Sequence, residues 1–359
     1  MAEPFLLSRI SLQFNDQADD LIEELSAAAR TPDGCLWVGS DEYLSVERLS
    51  PLKDMVYGEH KSFFLGDFLE LFNSKDEADI EGMDYSHSYL WFTGSHSRKR
   101  KKTKGKKEAK AIERLTEIAT DANRYLLGRI PCINGELHKT CSDPAEPDKI
   151  LTAASLQKTE HGNVLIDALR EDDHLGPIIA SLLPSKDNGL DVEGLAVCGD
   201  RIFLGLRGPV LRGWAIILEL ELAETEPGIL IPKPIGAGDR PYRKHFVQLN
   251  GLGIRELCLY EEDLLILAGP TMDLEGEMQV FRLHDIQGRD DDSLTYPDDD
   301  DLTPLFDLPF TIGFDHAEGL ALIPCLGHDS ALLIVYDSPR AARRANPHTI
   351  LMDVFQLPL

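Results

Sequence analysis

Asp191-Val192-Glu193-Gly194-Leu195-Ala196, followed by Gly199-Asp200-Arg201-Ile202-Phe203-Leu204-Gly205-Leu206-Arg207-Gly208, is the phrase around which this chain is written. Weaker copies stand at residues 79–84 and 316–321, and degenerate ones at 253–257 and 23–27. Aligned on their apolar residue, they put Glu23, Glu81, Glu193, Arg255 and Glu318 at one position, at steps of 58, 112, 62 and 63 residues. A repeat of this length, each unit holding several short strands, marks a β-propeller. The expectation is an all-β chain, one closed β-propeller domain over residues 1–359, with six blades. Five or seven are the alternatives, because the doubled step leaves open whether 127–190 hide a worn blade or extend the second one.

Within the phrase, Gly194 and Ala196 fall on one face of a strand, and Glu193, Leu195 and Val197 on the other. Blades pack face to face, so a glycine there should mark close backbone approach by the next blade. The residues 5–14 read as a strand without a blade of its own. It is expected to complete the last blade beside 350–357 and so remove a free edge.

The totals narrow the class. A net charge of −26 disfavours general nucleic-acid binding and favours cations or basic partners. The six cysteines show no CxxC spacing, and the start lacks a basic segment followed by an apolar one. No apolar run reaches the length of a bilayer span. These features predict a reduced, cytoplasmic protein without a membrane segment.

Two segments break the repeat. Residues 98–107 carry eight positive charges in ten positions, just after the second strand of blade two. A helix is expected over 108–126, where Ile112, Leu115, Ile118, Ala119, Ala122, Tyr125 and Leu126 recur at helical spacing. Together they form an insertion, 98–126, suited to an acidic protein partner; nucleic acid would bind only through 98–107. Residues 288–302 form an acidic loop whose aspartates repel one another and should not join a strand.

The repeat phase also places a site. Residues just after each second strand should leave the disc on one side, gathering Asp41, Glu42, His96, Arg98, Arg207, Arg212 and Asp337 around one mouth. His96, Asp41 and Glu42 are the catalytic candidates. Arg207, Arg212, Arg98, Lys186 and Asp337 suit an anionic small molecule, since guanidinium groups clamp phosphate or carboxylate in a bidentate way. Glu81, Glu193 and Glu318, at the start of inner strands, are candidate ligands for calcium, which takes carboxylate oxygens. The GxSxG, HExxH and GxxxxGK[ST] signatures are absent.

At 191–207 and 313–322 the chain resembles the EGL propellers grouped with esterase-like and phytase-like bacterial proteins. The stretches 92–99, 184–191 and 206–215 resemble more closely a bacterial family of unknown function, numbered thirty-six sixteen, and that likeness covers nearly the whole chain. The phytase-like resemblance implies phosphoester chemistry on a calcium-bearing propeller. Two functions follow as expectations. The first is a binding platform using one rim of the disc and the basic insertion. The alternative is a hydrolase with a polar site at the channel mouth.

Overall fold

The computed structural model describes residues 4–15, 21–103, 105–297 and 300–358. Lys104 of the basic run and Asp298 and Asp299 of the acidic loop lie outside them.

The strands group into five four-stranded antiparallel units. Blade one is Leu25–Arg30, Leu36–Ser40, Ser45–Lys53 and Val56–Phe64. Blade two is Ile80–Ser86, Tyr89–Gly94, Leu127–Ile133 and Ala154–Leu156. Blade three is Asp191–Cys198, Arg201–Gly208, Trp214–Glu226 and Arg243–Gln248. Blade four is Gly253–Tyr260, Asp263–Gly269, Gln279–Leu283 and Leu302–Asp307. Blade five is His316–Cys325, His328–Asp337, Thr349–Gln356 and, from the other end of the chain, Leu6–Gln13. Each inner strand packs on the inner strand of the next blade, and the last packs on the first, so the ring is closed. The N-terminal strand completes the last blade as the sequence predicts.

The expected blade number of six is corrected to five. Residues 127–190 supply no inner strand. They give blade two its outer strands, then the helices Val164–Arg170 and Gly176–Ala180. The doubled step in the repeat is one blade with a long outer decoration.

Every inner strand carries a β-bulge at the same point, where one residue has no partner across the hairpin. The skipped residues are Ser26, Glu81, Glu193, Arg255 and Glu318. The first blade therefore contributes Ser26, not Glu23, to the repeated position. A bulge bends the strand and re-aims the side chain it adds. The residue after it faces the next blade. A Cβ on Gly82 would lie 2.7 Å from the Leu195 side chain, and one on Gly194 2.8 Å from Leu257. Glycine is required there by close approach, as expected. Polar side chains set the register between blades: the backbone N–H of Leu195 donates to Glu256 at 2.9 Å, and that of Val197 to Asp84 at 2.7 Å.

The insertion departs from its sequence reading. The helix is short, Glu108–Arg114, and none of its residues is buried. Two strand pieces, Lys99–Arg100 and Ile118–Ala119, pair to make the segment a hairpin arm. The apolar stripe is split between two environments. Tyr125 and Leu126 pack into the propeller, while Ile112, Leu115 and Ile118 stay exposed. A continuous helix would have to carry both halves on one straight face, and the ring offers no surface for that. The acidic loop also differs: Ser293–Thr295 pairs in parallel with Arg243–Gln248 on the edge of blade three. Counter-charges make this possible, with Asp292 accepting from the Lys244 backbone at 2.8 Å and Arg289 reaching Asp301 at 3.2 Å.

Candidate functional site: a carboxylate mouth

The bulges and the loops after the second strands meet at one end of the ring. There a cavity of 360 Å³ is lined by Glu24, Asp41, Glu42, His316, Glu318 and Asp337, with Arg207, Arg255, Lys102 and Lys186. Its outer wall consists of the loops 270–278 and 308–315.

Two arginines organise the inner part. Arg255, from the bulge of blade four, reaches Glu193 at 3.1 Å and also pairs with Glu318. Arg207 pairs with Asp191 and with Glu193 at 2.8 Å. A third arginine, Arg124, holds Asp79 at 2.6 Å and Glu77 at 2.9 Å beside the same channel. Burial opposes the Arg207 charge, but Asp191 and Glu193 keep the guanidinium protonated more firmly than usual. Both of its terminal nitrogens are thus already engaged.

The outer carboxylates have no arginine among them, and Lys102 is the cation that acts on Glu24. Glu24, Asp41 and Glu42 bring one oxygen each within 4.8 Å of one another. Asp41 and Glu81 make no hydrogen bond or ion pair among the described residues. Burial, then the charges of Asp79, Glu318, Asp337 and Glu24, push the Asp41 carboxyl up to about 9. Burial and the charge of Asp79 raise Glu81 well above the usual carboxylate range. Glu318 rises to about 8 through burial, against the pull of Arg255. Burial raises the Asp79 carboxyl to about 6, against the pull of Arg124 and a hydrogen bond from Ser95. His316 lies 3.6 Å from Asp337 and 3.5 Å from Glu275, and the hydrogen bond to Asp337 raises its proton affinity.

Of the residues singled out in the sequence, Asp41, Glu42, Arg207, Lys186, Asp337 and Glu318 line this cavity. Glu193 sits beneath it, between the two arginines. His96 is buried instead. Its Nε2 accepts from Asn163 at 2.9 Å and its Nδ1 donates to the Gly94 carbonyl at 2.8 Å. Burial lowers its pKa to about 4, so the ring is a neutral pin between blade two and the helix that Asn163 caps. Arg98 and Arg212 do not line the cavity; Arg98 offers its carbonyl to the Ser185 N–H at 2.9 Å, and Arg212 sits in the turn between Leu211 and Trp214 at positive φ.

Sequence reasoning missed Glu24, Asp79, Asp191 and His316 as site residues. They share a signal that was there to read, since each stands two positions before a bulge residue. In the remaining unit, blade four, that position is Gly253.

Fold and site together define a five-bladed propeller with an acid-rich pocket at one mouth. The chain belongs to the family described as "Protein of unknown function (DUF3616)", which matches residues 24–353. No protein of curated function matches it. Among solved structures it is similar to virginiamycin B lyase from Staphylococcus aureus, at 9% identity and a TM-score of 0.37, covering 98% of this chain and 99% of that one. It is also similar to the PQQ-bound form of aldose sugar dehydrogenase from Streptomyces coelicolor, at 11% identity and a TM-score of 0.35, covering 98% and 99%.

Proposed function

We propose that the protein is a divalent-cation-dependent hydrolase of a small ester, working at the carboxylate mouth. The observation that supports this reading is the triad of Glu24, Asp41 and Glu42 oxygens on the wall of this cavity. Carboxylates crowded in a partly dry site repel one another unless a cation joins them. Calcium fits this donor set, because it takes hard oxygen ligands in flexible geometry. Glu24, Asp41 and Glu42 would hold the ion, and when bound it would polarise a carbonyl or phosphoryl oxygen. His316, steadied by Asp337 and Glu275, faces the same cavity and would serve as the general acid. Arg207 and Arg255 hold the inner glutamates in place rather than clamping an anion.

Calcium titration calorimetry tests the cation. Binding to the wild type is expected, with a rise in melting temperature by mass action. Asp41→Asn should weaken that binding about tenfold or more, through loss of one ligand charge. Turnover of p-nitrophenyl carboxylate and phosphate esters, with and without calcium, tests the chemistry. If calcium neither binds nor stabilises the wild type, the reading fails.

A second reading, an interaction platform, is favoured by the exposed Ile112, Leu115 and Ile118 on the basic arm. It predicts a salt-sensitive acidic protein partner that is lost when 99–118 are deleted.

A further inference from the structure

The cavity has two unlike walls. Its floor is charged, but the two loops that form its outer side expose Met272 at 38%, Leu274 at 60%, Phe310 at 45% and Phe314 at 52%. Four large apolar side chains exposed on one pocket wall are unusual unless something covers them. The loops that carry them are pinned at several points. The Leu308 N–H donates to the Met278 carbonyl at 2.8 Å, Asp315 N–H to Ser338 at 3.0 Å, and Glu275 lies 3.5 Å from His316. The shelf is therefore held in place beside the carboxylates rather than hung over open solvent. Pockets of this kind orient a ligand with a few polar groups and bind it through apolar area.

We propose that the ligand of the mouth is amphipathic: an ester whose polar end meets the carboxylate floor and whose apolar acyl or aryl part lies on Met272, Leu274, Phe310 and Phe314. This inference rests on the cation reading for the polar end only. Charge decides the orientation, because the carboxylates Glu24, Asp41 and Glu42 form one side and the shelf the other. The hydrocarbon part thus sets specificity, and a short-chain ester uses only half of the site.

The shelf can be tested apart from the metal. An alkylammonium ion carries its own positive charge, so calcium-free protein can be titrated with butylamine and octylamine. Full burial of one methylene is worth about fourfold in affinity. Octylamine should bind at least about tenfold more tightly than butylamine, which corresponds to partial burial of the added chain. The double variant Leu274→Ser, Phe310→Ser should lose that gap while keeping the wild-type melting temperature and calcium affinity. Both side chains are exposed, so folding does not depend on them. Equal affinities for the two amines, or a gap that survives in the variant, would overturn the proposal. If the gap is present but calcium neither binds nor displaces octylamine, the shelf stands and the cation reading falls.

Discussion

Single residues fix how near two blades can come. Gly82 meets the backbone and side chain of Leu195, so Gly82→Ala should cost about 1–3 kcal/mol, the scale of overpacking. Urea unfolding measures this, and an unchanged midpoint would mean the blades can part without strain. Asp84 offers a pH signature. Burial, partly offset by the N–H groups of Val197 and Tyr85, lifts its carboxyl to about 7. A carboxyl with a raised folded pKa binds its proton more tightly folded than unfolded. Its contribution to stability is full below the unfolded value, about 4, and falls as pH climbs through about 7. Asp84→Asn removes that dependence, so between about pH 5 and about pH 8 its melting temperature should drop less than the wild type's. Parallel curves in calorimetry would exclude Asp84 as the source. At this scale the sequence was informative about glycine and about the bulged glutamates, because both recur in phase. It misled at blade one, where Glu23 and Glu24 stand near enough to Ser26 to be mistaken for it. His96 looked reactive because a sequence carries no burial, and only the fold places Asn163 and the Gly94 carbonyl against its two nitrogens.

Elements outside the ring were the hardest to read. The stripe from Ile112 to Leu126 has helical spacing, but its two halves serve different surroundings, and the chain changes direction at Ile118–Ala119. Periodicity reports which residues could share a face, not whether a face exists to receive them. Since Ile112, Leu115 and Ile118 are exposed, replacing all three with serine should leave thermal stability within about 0.5 kcal/mol per site. A larger loss in thermal melts would show that the arm docks on the ring in solution. The helices after blade two are anchored by Asp172, which accepts from Lys244 at 2.6 Å and from Tyr242 at 2.7 Å. Despite burial, these donors hold its carboxyl at about 2. This stability is present above the unfolded value and is lost as pH falls through about 2. Asp172→Asn should therefore weaken the protein at neutral pH and narrow its difference from wild type in acid, as read by circular dichroism melts.

Over the whole molecule, the propeller itself was legible because five strands had to solve the same packing problem and reached similar answers. The blade number was not, because a repeat interval counts residues and not strands, and decoration on blade two imitated an extra unit. The carboxylate mouth follows from the same symmetry, since a bulge repeated around a ring aims its side chains at one end. The closure of blade five by Leu6–Gln13 has a consequence for how the protein is made. In a chain synthesised from its N-terminal end, that strand appears more than three hundred residues before its partner Thr349–Gln356. Until that partner is made, its ladder among the described strands is the short parallel pairing of Ser11 and Leu12 with Val56 and Tyr57, and Ile10 and Leu12 face a surface that is still incomplete. The circle therefore cannot close before blade five is complete, and until then the strand keeps one open edge.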